Sequence, residues 1–234
     1  MISPIFTTIV ISFLLIMAYM KITTNRFSTG DEECLEQERK SNSVRKKSLD
    51  DLDYITIPFG SLPFAYIDPN NIHNDPGNSA PSGDNTAAND GSDDSAIRKD
   101  ETDILALKDK KIVNFTGISN TDLKFTYGAP NLPILTEYDQ NFTELVRALD
   151  SWGTHLNEHG KGADARKVLE FAVECRTDLK SSYVQLADMY AENFEFDKLD
   201  HLIEVAEGLN SLMKGPIVRA LKERCNINKY VERK

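Results

Sequence analysis

Residues 146–213 decide the fold, because two consecutive stretches of equal length repeat one pattern. The first, 146–179, reads VRALDSWGTHLNEHGKGADARKVLEFAVECRTDL, and the second, 180–213, reads KSSYVQLADMYAENFEFDKLDHLIEVAEGLNSLM. In each stretch, apolar residues recur every three or four positions in two runs separated by a short polar break. This spacing is typical of two amphipathic helices. The sequence therefore predicts an all-α domain built from consecutive helix pairs.

Large and small apolar residues occupy matching positions in the two stretches. In the first helices, Leu149, Trp152, Gly153 and Leu156 match Tyr183, Leu186, Ala187 and Tyr190; in the second helices, Ala165, Leu169 and Ala172 match Leu199, Ile203 and Ala206. Small residues let two helices approach closely, and the large ones fill the layer between them. The spacing, with its period of about 34 residues, resembles the W-x2-L-G-x2-Y…A-x3-F…A pattern of the tetratricopeptide repeat family. Thr177 and Ser211 replace the closing proline of that pattern, and Leu199 replaces its usual alanine. A generic bundle of α-hairpins is the alternative.

The resemblance implies a concave groove, lined by the first helix of each pair, that binds a protein or a peptide. By offset, the groove residues are Arg147, Asp150, Thr154, Asn157, Val184, Gln185, Asp188, Glu192, Arg219 and Lys222. Family members that bind chaperone tails clamp a C-terminal carboxylate with Lys, Asn and Arg. Asp150 and Thr154 stand where such a clamp would begin, so we do not expect that specificity here. No cofactor is expected.

The repeat has predicted flanks on both sides. Pro216 starts a helix over 217–225 that covers the second pair, and residues 227–234 form a basic tail. The helical domain thus spans 138–226, preceded by an irregular N-terminal cap at 104–137. Within that cap, Ser119 offers a capping side chain for a short helix through Tyr127, stopped by Gly128. The stretch KIVNFTGISNTDLKFTYGAPNLPILTEYDQNF at 111–142 is similar to sequence that precedes the repeats in small membrane-anchored tetratricopeptide proteins of bacteria.

Residues 1–22 are predicted to form a transmembrane anchor. Met1 to Met20 carry no charged side chain, and a helix of about 20 residues reaches about 30 Å, the thickness of a hydrocarbon core. A cleaved signal peptide would want a basic residue before the apolar run and an A-x-A-like site after it; neither is present. Lys21 and Arg26 follow the run, so the positive-inside rule favours a cytoplasmic location for the remainder of the chain.

Three segments separate the anchor from the helical domain. Residues 23–51 carry charges of both signs and are predicted to form a juxtamembrane stalk. Residues 52–68 (LDYITIPFGSLPFAYID) are too apolar for a free linker, and Pro58 and Pro63 exclude a helix or a central strand. We expect this segment to stay extended and to dock on the repeat domain; a linear motif for an outside partner and a lipid-lying patch are the alternatives. Residues 69–103 are acidic, poor in large apolar residues, and predicted to be a disordered linker.

Charge and motifs narrow the functional class. A net charge of −10 argues against nucleic acid binding. Three widely spaced cysteines without a C-x-x-C pair suggest neither a disulfide framework nor a zinc site. His155, Glu158 and His159 fit the H-x-x-E-H zinc-peptidase motif, but the helix ends there in glycines. The sequence thus predicts a membrane-anchored, non-enzymatic adaptor, with a structural subunit of a membrane assembly and a zinc hydrolase as alternatives.

Overall fold

The predicted all-α fold is confirmed. The computed structural model of the chain describes residues 4–69 and 93–231, with side chains for 11–21, 32–69 and 94–225. The α-helices are α1 (Pro4–Asn42), α2 (Asp93–Leu105), α3 (Asn120–Tyr127), α4 (Leu132–Glu158), α5 (Gly162–Glu174), α6 (Lys180–Glu192), α7 (Phe196–Glu207) and α8 (Lys214–Val231), with a 3₁₀ turn at Ala129–Asn131. Within the described ranges, β pairing is limited to an isolated antiparallel bridge between Tyr54 and Val113.

Helix ends recur at the period read from the sequence. In the first repeat α4 ends at Glu158 and α5 begins at Gly162, while α6 ends and α7 begins at the matching positions of the second repeat, Glu192 and Phe196. The small residues that the repeat requires are inside: Ala165, Ala172 and Ala206 are 0% exposed. The repeat read from the sequence therefore forms two helix pairs, α4–α5 and α6–α7. Helix α8 begins at the position where the first helix of a third pair would begin.

The helix pairs pack through those small residues. The backbone of Gly153 in α4 lies so close to Leu169 of α5 that an added β-carbon would be 2.6 Å from its Cδ2 atom. Along the chain, α5 contacts α6, and α8 contacts both α6 and α7. Trp152 and Tyr183 are the largest side chains that are fully buried, and they belong to one continuous hydrophobic core.

The chain divides into two compact units, residues 1–50 with 118–133, and residues 51–117 with 134–234. In the first unit, Ser119 caps α3 by accepting the N–H of Asp122, and Gly128 ends the helix at φ +94°, as predicted. Glu38 near the end of α1 accepts hydrogen bonds from Thr121, at 2.7 Å, and from Lys124. The prediction of a charged stalk at 23–51 was therefore incomplete: α1 runs to Asn42, and its end packs on α3. The predicted cap at 104–137 is divided between the two units.

Two predicted boundaries were wrong. The linker prediction for 69–103 fails from residue 93 onward, because Asp93–Leu105 is helical and buries Ile97 and Ile104 completely; residues 70–92 lie outside the described ones. The basic tail predicted at 227–234 is also wrong in its start, because α8 continues to Val231.

Residues 52–68, which we call the strap, lie within the second unit and form neither a helix nor a named strand; the predicted extended course is interrupted by a turn at 59–61 and a bend at 65–67. Leu52, Ile57 and Leu62 are buried, and Phe59 and Phe64 pack against the same core as the helices. The N–H of Ile55 donates to the carbonyl of Ile112 at 2.9 Å, next to the Tyr54–Val113 bridge.

The predicted anchor, residues 1–22, lies partly outside the described side chains. Among the residues that are described, no helix combines the length and the apolarity that a membrane span needs.

Candidate partner-binding surfaces

The first helices of the pairs, α4 and α6, are joined by a hydrogen-bond cluster around Asp150. Both carboxylate oxygens of Asp150 accept the hydroxyl of Ser181 at 2.7 Å, and one also accepts the hydroxyl of Ser182 at 2.6 Å. One turn further along each helix, the Gln185 amide donates to the Thr154 hydroxyl at 2.9 Å. Four of these side chains are only partly exposed or fully buried. The sequence predicted that Asp150, Thr154 and Gln185 face a partner. In the structure, Asp150 and Thr154 of α4 form hydrogen bonds with α6, and Gln185 of α6 forms one with α4.

The cluster is followed by an ion pair between α6 and α8. Arg224 Nε lies 2.6 Å from Asp188, with both side chains partly exposed. Lys222 of α8 lies 2.7 Å from Glu207 at the end of α7. Asp188 and Lys222, two further predicted groove residues, are therefore also engaged within the domain.

The remaining predicted groove residues are open to solvent or nearly so. Asn157, Glu192 and Arg219 are exposed, and Val184 is half-buried. Arg147 is exposed too, but it lines a depression against α2 together with Lys99 and Asp103. Helices α4, α6 and α8 therefore present a surface whose free polar groups are few and lie toward its edges.

A second surface lies between α5 and α7, where a cleft of about 640 Å³ opens over α6. Its apolar lining consists of Val173, Leu186, Tyr190, Leu202 and Val205, and its charged lining includes Glu170, Glu174, Arg176, Lys198, His201 and Glu204. Volumes of roughly 300–1,000 Å³ are typical of ligand pockets. The cleft carries charges of both signs in similar number, so its electrostatics favour neither an acidic nor a basic ligand.

One edge of the cleft is fixed by the Arg166 guanidinium. Its two terminal nitrogens donate to Glu195 at 2.6 and 2.8 Å, and its Nε donates to Glu170 at 2.9 Å. Hydrogen bonds from Arg166 and then Lys198 lower the pKa of Glu195 to about 2. Burial, followed by the nearby Glu170 charge, raises the pKa of Tyr190, whose hydroxyl donates to Glu170 at 3.0 Å.

The H-x-x-E-H motif lies at the C-terminal end of α4. His155 Nδ1 is 2.6 Å from the buried carboxylate of Asp100 in α2, and His159 Nδ1 is 2.5 Å from the carbonyl of His155. Glu158 points to solvent. In the described ranges, no three His, Cys, Asp or Glu side chains are grouped as a metal site. His155 thus joins α4 to α2.

The C-terminal end of the strap is held by a buried carboxylate of α2. Glu101 is 0% exposed. Its Oε1 accepts the backbone N–H of Ala65 at 2.9 Å, and its Oε2 accepts those of Tyr66 at 2.9 Å and Ile67 at 3.0 Å. Burial raises the pKa of Glu101 more strongly than these three donors lower it. Immediately before this cluster, the Phe64 ring packs on Trp152 with 5.0 Å between centroids.

Sequence reasoning missed both the cleft and the Glu101 cluster. The cleft depends on how far apart α5 and α7 lie, which residue spacing does not report. Glu101 falls in an acidic stretch that reads as solvated chain, and the groups that satisfy it lie 34 to 36 residues earlier. The apolar residues Ile97 and Ile104, two helical turns apart, were the available signal for α2.

Comparison with family models, with curated proteins and with solved structures gives no match to this chain.

Proposed function

We propose that this chain is a protein-binding adaptor whose helical domain, of tetratricopeptide-like build, recruits a partner through the face of α4, α6 and α8. One observation carries the proposal: helix ends and buried small residues recur at one constant period, and hydrogen bonds join the first helices of successive pairs. Such stacking of pairs creates an extended surface that a lone helix hairpin lacks.

The exposed members of the predicted groove are the residues that contact the partner in this proposal. Three side chains are exposed and take no part in the contacts between helices described above: Asn157 at the end of α4, Glu192 at the end of α6 and Arg219 in α8. Asp150, Gln185 and Asp188 set the spacing of the three helices instead. A peptide or helix of mixed polarity fits the mixed charge of this face.

The proposed site of action is a membrane surface, with residues 1–22 as the anchor. Two observations support the anchor: Met1 to Met20 carry no charged side chain, and the described large apolar side chains of this stretch, including Phe13, Leu15 and Tyr19, are 54–70% exposed. Exposed apolar side chains in such density favour an apolar environment. Membrane fractionation of the full chain, and of a variant lacking 1–22, tests the anchor separately from binding.

Site-specific cross-linking in the native membrane tests the binding surface. A photoreactive residue is placed at position 157 or 192 of the full chain, and a matched control is placed at the exposed Lys167 of α5. We expect one protein to be captured from both groove positions and not from position 167. Capture of that protein from position 201 in the cleft, with none from 157 or 192, would overturn the assignment to the α4–α6–α8 face.

A further inference from the structure

The strap is placed as a peptide ligand would be, along a surface formed by α2 and α4. It contributes an aromatic ring against Trp152 and three consecutive N–H groups to one carboxylate. Tyr66 adds a second anchor, since its hydroxyl donates to Asp94 at 2.5 Å and its ring receives the Lys161 ammonium at 5.1 Å. Recognition of a peptide through its backbone groups together with side-chain pockets is a common mode of binding.

Along its middle the strap is held to the helices by the buried side chains of Ile57 and Leu62. Among the backbone hydrogen bonds of the described residues, those formed by the N–H groups of Phe59, Ser61, Leu62 and Phe64 end on carbonyls within the strap itself. Phe59, Phe64 and Tyr66 are only partly buried, in contrast to the fully buried Trp152 beneath them. The middle of the strap is therefore held mainly by buried aliphatic side chains, while its aromatic rings stay half-exposed.

The surface beneath the strap also holds an unmet polar group. Within the described part of the chain, the buried indole N–H of Trp152 finds no acceptor. A buried donor without a partner is destabilising. The strap therefore satisfies Glu101 but leaves Trp152 incompletely satisfied.

We propose that the strap is an internal occupant of a peptide site on α2 and α4, and that a partner segment of the same chemistry displaces it. Such a segment has an aromatic side chain that packs on Trp152. The three residues that follow it donate their backbone N–H groups to the Glu101 carboxylate. The sequence between Pro69 and Asp93 tethers the strap to its site, so the strap competes as an intramolecular ligand at high effective concentration. The site stays closed until a partner of higher affinity, or of high local concentration, arrives. This inference deepens the proposed binding role and rests on it.

The test uses a fluorescently labelled peptide with the strap sequence, LDYITIPFGSLPFAYID, and the full chain. Phe64→Ala loosens the chain's own strap while leaving α2 and α4 unchanged. We expect the Phe64→Ala chain to bind the peptide at least tenfold more tightly than the unaltered chain, measured by fluorescence anisotropy. Adding Glu101→Gln should abolish this gain. A peptide N-methylated at its three amides equivalent to Ala65–Ile67 should fail to bind, because it lacks the donors.

Trp152 is the only tryptophan of the chain, so its emission reports directly on the site. Loosening the strap should shift the emission to longer wavelength, and the bound peptide should reverse the shift. Should Phe64→Ala prevent folding, Tyr66→Phe, which removes the hydroxyl contacts to Asp94 and Lys161, replaces it in the same assay.

Several results would overturn the proposal. If neither chain binds the peptide while the Phe64→Ala chain still melts cooperatively, the strap is a permanent part of the core. If Phe64→Ala forms a dimer that excess peptide leaves intact, the occupant is the strap of a second copy and not a partner segment. Asn157→Lys combined with Glu192→Lys should leave peptide binding unchanged, so a failure of the strap site is distinguishable from a failure of the α4–α6–α8 face.

Discussion

Gly160 and Phe194 occupy the same position in the two repeats, and both adopt a positive φ, +71° and +58°, at the turn between the two helices of their pair. Each lies just beyond the end of the first helix of its pair, at Glu158 and at Glu192. In this left-handed region a β-carbon crowds the following carbonyl, which is unfavourable by roughly 1–2 kcal/mol except for glycine. The backbone of the second pair is therefore strained at Phe194, whereas glycine avoids this strain in the first pair. The Phe194 side chain is 73% exposed.

Replacing Phe194 by glycine should stabilise the domain. The relieved strain of about 1–2 kcal/mol exceeds the entropy that glycine loses on folding, about 0.5–1 kcal/mol, so we expect the free energy of unfolding to rise by about 0.5–1 kcal/mol. Urea denaturation of the full chain measures the change. The matched control is Gly160→Ala, where no atom lies within 4 Å of the added β-carbon; it should lower the free energy of unfolding by about 1 kcal/mol through the backbone alone. A destabilised Phe194→Gly chain would show that the ring packs more than its exposure indicates.

Gly153→Ala should destabilise the contact between α4 and α5. The new β-carbon would lie 2.6 Å from Cδ2 and 2.7 Å from Cγ of Leu169, which is itself fully buried and cannot move aside. Overpacking of this kind lowers the free energy of unfolding by about 1–3 kcal/mol. Gly215→Ala in α8 is the control, because nothing lies within 4 Å of its β-carbon and alanine favours a helix by up to about 1 kcal/mol. Equal melting temperatures for the two variants would contradict the close approach.

Gly153 also shows what a single sequence can reveal. Its place in the fold follows from local spacing, since a small residue one position after Trp152 recurs as Ala187 after Leu186, and the period fixes which faces meet. The same local logic gave α3, with Ser119 and Gly128 as its ends. Helix existence, period and caps are local properties, so the sequence predicts them.

Glu101 shows where that logic stops. A buried acid in an acidic stretch looks solvated until its three amide donors, which come from the distant strap, are placed beside it. The predicted groove residues show the same limit. Their position within the repeat placed Asp150 and Gln185 on a surface that faces a partner. In the structure, α4 and α6 lie close enough for each of these side chains to form hydrogen bonds with the other helix. Contacts between elements depend on distances that a periodic pattern does not contain.

The stability of the domain should fall in acid because of Glu195. Its pKa is lowered in the folded state from an ordinary value of 4.5 to about 2, chiefly by the Arg166 guanidinium. A group with a depressed folded-state pKa contributes stability above its unfolded pKa and loses it as the pH falls through the folded value. The contribution is therefore complete above about pH 4.5 and declines toward pH 2.

Melting temperatures of the unaltered chain and of Glu195→Gln, compared at pH 7 and at points between pH 5 and pH 2, measure this effect. We expect the difference between the two chains to shrink as the pH falls. Glu144→Gln, which removes an exposed carboxylate 3.5 Å from Lys110, is the control substitution. A constant gap between unaltered and Glu195→Gln chains down to pH 2 would mean that the pair with Arg166 contributes nothing specific.

Asp150→Ala should weaken the junction of α4 and α6. The substitution leaves two hydroxyl groups without their acceptor: Ser181 is exposed and regains water, but Ser182 is 0% exposed and loses its partner. A buried polar group left unsatisfied is unfavourable by about 1–3 kcal/mol, so the free energy of unfolding should fall by that amount. Ser181→Ala should change it little. A double-mutant cycle between Asp150→Ala and Ser182→Ala isolates the pair, and residues in direct contact couple by about 0.5 kcal/mol or more. A coupling near zero would mean that the hydrogen bond between Asp150 and Ser182 does not hold α4 to α6, which would favour a role for the Asp150 carboxylate in binding a partner on this face.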